Sequence, residues 1–191
     1  MRLAAARPEG ARDIYMNKEF IIQSVRAASQ EVFSTMLGME VEYGPVYEEH
    51  ESVDTASGVL GLIGIAGPWM GTGSLSCSPE FACKISSLLL MSKFDHIDGD
   101  VLDAIAEIVN MIFGNVKTVL EDKVGPLGLS IPTVIYGKNF STKQASSQIW
   151  AGIPLFAGGM RMELTMGLRR NHSRCMPTGL GFDHRSYPLT H

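Results

Sequence analysis

Glu107 and Asn110 stand three residues apart in the middle of DVLDAIAEIVNMIFGNVKTVLE, residues 100–121. In a helix they fall one turn apart on a single face. Their chemistry is complementary. A carboxylate can hold a cationic group of a partner, while a carboxamide can accept a hydrogen bond from water and donate one to an anion without titrating or repelling it. Steps of four, three, four, three and four residues carry the same face through Asp103, Glu107, Asn110, Gly114, Lys117 and Glu121. The glycine removes a side chain that would keep another surface at a distance. Such a stripe can receive a docked partner.

The helix that carries the pair must itself be held firmly. Leu102, Ile105, Val109, Ile112, Val116 and Val119 recur at helical spacing, with Ile108 and Met111 widening the line. This pattern predicts deep packing on a sheet, with the polar stripe as the one open side. An earlier helix is expected from the capping residue Asn17 to about Leu37, with Ile21, Val25, Ala28, Val32 and Met36 on one face and Gly38 as its stop. A strand near 39–47 follows, and strands near 58–66 and 70–77 face each other across Gly67-Pro68-Trp69. Ser78 and Pro79 open a further helix running to about Met91. After the central helix come strands near 131–137, 148–156 and 160–168, the last two joined by Ala157-Gly158-Gly159.

Helix, strand, loop and hairpin thus occur twice in the same order. The predicted fold class is α/β (α+β): an antiparallel-rich sheet carrying two long packed helices, built from two duplicated halves. Glu31, Ser34 and Gly38 repeat the spacing of Glu107, Asn110 and Gly114, with serine in place of asparagine. The strand at 160–168 closes the patterned region and is expected at a sheet edge, where unpaired backbone groups favour association. Residues 17–170 form the expected domain. Residues 1–16 and 171–191 show no period and are expected to be flexible extensions.

A chain of 191 residues, 45% of them hydrophobic, can bury a substantial core as one domain. A formal charge of −4 and a pI near 5.7 offer no basic field for nucleic acid or an anionic membrane. The weakly polar run at 58–70 is interrupted by Pro68 and glycines and falls short of the roughly 20 residues a membrane helix needs. The N-terminal segment lacks the apolar stretch of a secretory signal, so the expected compartment is the cytoplasm. Cys77, Cys83 and Cys175 have neither paired number nor metal-binding spacing and suit a reducing compartment.

Other constellations carry less chemistry. Asp95, His96, Asp98 and Asp100 precede the central helix without calcium-loop spacing, and read as residues that favour a helix N-terminus. Gly71-Thr72-Gly73 lacks the lysine and hydroxyl of a phosphate loop and lies within a predicted strand. His172, His184 and His191 fall near the C-terminus, and the eleven methionines read as core filler. No metal site is expected. Taken on spacing alone, the Glu107–Asn110 stripe also fits an ordinary solvated helix face.

Context separates these readings. EIVNMIFGNVK, residues 107–117, resembles the active segment of the CheX, CheC and FliY family of chemotaxis phosphatases, in which E-x-x-N on a long helix is followed by N-x-x-x-G. The resemblance extends through EVFSTMLG, SGVLGLIGIAG, SPEFA, IPTVIYG and IPLFAGGMRMELTMG, and so covers about Phe20 to Leu168. It implies a CheC-like fold and hydrolysis of the aspartyl phosphate on a CheY-like response-regulator receiver domain. Asn110 would position the attacking water, Glu107 would anchor the partner's lysine, and Asp103, Gly114 and Lys117 would touch the partner. Family members with two active helices carry E-x-x-N in the first helix as well. Here Glu31 and Ser34 stand there, so a single site is expected. The resemblance implies no cofactor on this chain, Mg2+ in the partner receiver, and a homodimer joined through its sheets. The alternative is a non-catalytic module that binds and sequesters a receiver domain.

Overall fold

A computed structural model describes residues 16–47, 55–140 and 149–172. Three helices lie on an antiparallel sheet. Helix α1 spans Lys18–Met36 and starts where the Asn17 side chain accepts a hydrogen bond from the Phe20 amide at 2.8 Å. It ends before Gly38, whose φ of +62° is open to glycine at little steric cost. Strand β1, Val41–Tyr43, is shorter than the strand expected near 39–47, although Tyr47 forms an isolated bridge to Gly152. Strands β2, Thr55–Ala66, and β3, Trp69–Cys77, form the first hairpin. Helix α2 follows at Pro79–Leu89, capped by Ser78, and helix α3 runs through Gly99–Val124.

The second half contains β4, Gly128–Leu129, β5, Thr133–Phe140, β6, Ile149–Ala157, and β7, Met160–Arg170. The two-residue strand β4 was not evident from the sequence pattern, and β5 begins two residues later than the expected strand. Sheet order is β1-β6-β7-β3-β2, with β4 and β5 both paired along β2. Exchanging β1 with β5, β6 with β2 and β7 with β3 maps this order onto itself. That is the topology of a duplicated helix-strand-hairpin unit whose halves have interleaved.

The same topology corrects the expectation that the last strand is an edge. β7 pairs with β6 on one side and with β3 on the other, so it lies at the centre, where the hairpins of the two halves meet. Closing the periodic sequence does not place a strand at the sheet's boundary. Among the described residues, the outer strands are β1 and, across the sheet, β5 with β4.

Helix α3 is fixed chiefly by burial. Ile105, Ile108, Val109, Ile112, Phe113, Val116 and Leu120 are fully buried, each contributing on the order of 1.5–3 kcal/mol. Their seat is shaped by Gly61 and Gly73, where a Cβ would run into Val109 and the Phe113 ring. The sheet therefore admits α3 at close range. Leu102 and Val119, expected on the buried line, are only partly covered, with Val119 41% exposed. A line stepping three and four residues averages 3.5 per turn and drifts off the face of a 3.6-residue helix, so its ends rotate outward. Val101 and Leu120 take those places. Met36, expected on the buried face of α1, is 49% exposed at the last helical position.

Candidate functional site

Along the polar stripe Gly114, Lys117 and Glu121 are half-buried, and Asp103, Glu107 and Asn110 form the outward crest of α3. Its N-terminus is held by Asp98, whose carboxylate accepts from the Val101 amide at 2.9 Å. Asp103, Glu107 and Asn110 are all exposed, on the side of the helix opposite its contacts with the sheet, α1 and α2. A Cβ built on Gly114 would meet nothing within 4 Å. Internal packing therefore does not require glycine there. Glycine in a helix interior costs about 1 kcal/mol relative to alanine, a loss the buried face of α3 readily offsets. Gly114→Ala is expected to raise stability by roughly 0.5–1 kcal/mol in denaturant titration while weakening partner docking, the reverse of what a packing glycine would show.

Further along, Lys117 Nζ stands 2.8 Å from Glu121 Oε2, and the Leu127 amide donates to Glu121 Oε1 at 2.7 Å. The Lys117 hydrogen bond first, and then the Leu127 amide, hold the Glu121 carboxyl below its ordinary range. What this pairing adds to stability is present above the ordinary carboxylate range and is lost as pH falls through the depressed value. The C-terminal end of the stripe thus ties α3 to the chain that leaves it. Next along that chain, the Ser130 amide donates to the Gly64 carbonyl at 2.9 Å and Ser130 Oγ accepts from the Gly64 amide at 2.8 Å. These bonds pin residues 129–132 beside the crest.

The result is an open groove of about 490 Å³ lined by Asp103, Ala106, Glu107 and Asn110 on α3 and by Leu129, Ser130, Ile131 and Pro132 opposite. Ile131 is 89% exposed and stands as an apolar wall facing the pair. Sequence reasoning assigned Ile131 to a strand and missed this wall. The signal was Pro132, which removes a ladder donor and biases the residue before it to extended backbone. On the other flank of the crest lies a second groove of about 510 Å³, formed with Met36, Leu89, Leu90 and Met111. Asp103 and Glu107 form the ridge between the two, whereas Asn110 lines only the first.

The remaining candidates occupy other roles. Asp95 pairs with Lys93 at 2.9 Å, and among the described residues no three His, Cys, Asp or Glu side chains gather closely enough to hold a metal ion. Gly71, Thr72 and Gly73 lie within β3. Cys77 and Cys83 are buried free thiols, and burial pushes the Cys77 thiol up to about 12. Cys175, His184 and His191 lie outside the described residues, as do most of the expected terminal extensions. Of those extensions, Met16 packs in the core and Asn171 Nδ2 donates to the Gly67 carbonyl at 3.0 Å. Asn115 of α3 donates to Glu31 of α1 at 3.3 Å, joining the neighbouring helices. Among the described residues no helix is long and apolar enough to cross a membrane.

A duplicated antiparallel sheet with an exposed Glu-x-x-Asn helix defines a CheC-like domain. The sequence model for chemotaxis phosphatase CheX matches residues 59–154, slightly more than half the chain and inclusive of the α3 pair. The chain belongs to the CheX family of chemotaxis phosphatases. It is 27% identical over 125 residues to the CheY-P phosphatase CheX of Thermotoga maritima, covering 64% of this chain and 79% of that protein. A CheC-like superfamily protein from Shewanella sp. PV-4 shares the fold with a TM-score of 0.73 and 26% identity, covering 81% of this chain and 99% of that one. The CheX of Borrelia burgdorferi, solved as a complex with CheY, BeF3 and Mg2+, aligns with a TM-score of 0.69 and 25% identity over 78% of this chain and 98% of that one.

Proposed function

We propose that this phosphatase hydrolyses the aspartyl phosphate of a CheY-like response-regulator receiver domain in the cytoplasm, using residues 17–170 as its working unit. The observation that carries the proposal is the placement of Glu107 and Asn110 on an exposed crest, beside an open groove of about 490 Å³. The names of the Thermotoga and Borrelia relatives, with CheY-P as substrate and CheY as partner, support it.

An acyl phosphate is already labile, so the catalyst's task is position. Asn110 accepts a hydrogen bond from water through its side-chain oxygen and donates from its nitrogen toward a phosphoryl oxygen. The water oxygen then forms a bond to phosphorus as the bond to the aspartate oxygen breaks. The carboxylate departs, and the water's protons pass to phosphate and solvent. Mg2+, held by the receiver, neutralises charge on the phosphoryl oxygens. Glu107 would repel the phosphoryl group directly. One turn away, it pairs instead with the receiver's active-site lysine and fixes the register in which Asn110 enters. Asp103 and Gly114 receive the flanking surface. Lys117, already paired with Glu121, meets the partner at the end of the crest.

Turnover separates this reading from sequestration. With a receiver continuously rephosphorylated by a small phosphodonor, substoichiometric chain should release many equivalents of inorganic phosphate. Release limited to one equivalent, or slowed, would make it a sequestering module.

We also propose a homodimer formed by strand pairing. With β7 at the centre, the outer strands among the described residues are β1 and β5, and we assign the pairing to β5, where Ile135 and Tyr136 are 40% and 47% exposed. Light scattering at micromolar concentration should give twice the chain mass. A monomer of 20.8 kDa persisting on concentration would rule the assembly out.

A further inference from the structure

The second groove has a composition unlike the first. Its floor and far wall are apolar, from Met36 at the end of α1, Leu89 and Leu90 at the end of α2, and Met111 of α3. The charged residues of its near rim, Asp100, Asp103 and Glu107, are all acidic, and among the described residues no lysine or arginine lines it. Met36, Leu88 and Leu90 are 49%, 40% and 44% exposed. Immediately after Leu90, Met91 is 95% exposed and has φ +50°, among the described residues the one non-glycine with positive φ. A residue just past a helix end in that conformation is ordinarily glycine, since a Cβ is disfavoured there. Methionine gains nothing from the fold in return, because its side chain lies in solvent. An exposed apolar cluster beside the crest, adjoined in sequence by a strained and exposed methionine, marks a contact surface.

We propose that this groove is the specificity arm of the phosphatase. It takes the receiver surface flanking the phosphoaspartate pocket, a surface presenting an apolar side chain with a basic residue beside it. The inference rests on the receiver-phosphatase reading. Two features commit the groove to that occupant. Asp103 and Glu107 belong to both grooves, so a partner seated against Asn110 is contiguous with this flank. The acidic rim complements a basic group and disfavours acidic surfaces. The unbranched methionine side chains, Met36 and Met111, adapt to differently shaped apolar partners. Chemistry and selection are thus divided between the two sides of one ridge.

The test uses the full chain and a receiver whose aspartyl phosphate it hydrolyses. Met36→Ser/Leu90→Ser is expected to raise the half-saturating concentration of phosphorylated receiver roughly tenfold or more, with turnover at saturation held within about twofold. Met91→Gly suits the positive φ, so it should hold or raise the melting temperature while raising half-saturation several-fold. A structural role for Met91 would instead lower the melting temperature. Wild-type half-saturation in both variants overturns the proposal, as does a loss of saturated turnover with half-saturation unchanged. If the wild-type chain hydrolyses no receiver phosphate, it is the receiver-phosphatase reading that fails. Titration with BeF3-loaded receiver then decides the docking claim, which stands if the variants weaken binding and falls if they bind as wild type or if wild type does not bind.

Discussion

Asn110→Ala is expected to slow receiver dephosphorylation by roughly 10² or more, the scale lost when one positioned polar group is removed from a transition state. The fold should be unaffected, since Asn110 is exposed and alanine is the better helix former by several tenths of a kcal/mol. Affinity for the phosphorylated receiver should change little, because the interactions lost are with water and the transferring phosphoryl group. The loss should therefore fall on kcat with a nearly constant half-saturation. Single-turnover decay of aspartyl phosphate, measured alongside thermal melting, checks both halves of the expectation. An unchanged lifetime with the mutant would remove Asn110 from the chemistry.

Glu107 should behave differently. A charge-assisted hydrogen bond to the receiver's lysine is worth about 1.5–3 kcal/mol, so Glu107→Ala should weaken the complex by roughly ten- to hundredfold. Turnover should fall as well, because the pair sets the register of Asn110. Glu107→Lys should be worse, since it places like charges together on a surface whose neighbours, Asp103 and Asp100, cannot compensate at the same position. Titration of phosphorylated receiver against each variant separates affinity from rate. Wild-type values for both substitutions would mean that Glu107 does not anchor the partner.

The placement of Glu107 and Asn110 on one exposed helix face was legible because helix periodicity is a local property. Asn17, Ser78 and Pro79 act at helix starts within their own turn, and the exposed crest of α3 follows directly from the spacing of its polar residues. The hairpins at Gly67–Pro68 and Gly158–Gly159 were legible for the same reason. What failed was non-local. The central position of β7 depends on pairing with β3, some 90 residues away, and alternation within a strand says nothing about its neighbours. The drift that exposes Val119 accumulates over several turns. The Leu129–Pro132 wall becomes part of the site only through the Glu121–Leu127 and Ser130–Gly64 hydrogen bonds, which cross elements. The apolar flank at Met36, Leu90 and Met91 likewise arises where three helices converge, from residues that read as ordinary helix interior and helix end.

Above all, this chain should speed the loss of phosphate from a receiver aspartate. The most direct measurement is the lifetime of that aspartyl phosphate on purified CheY-like receivers from the same cell, with Mg2+, in the presence and absence of the chain. The lifetime should shorten by at least tenfold on one receiver, with inorganic phosphate as the product. An unaltered or lengthened lifetime on every receiver would contradict it.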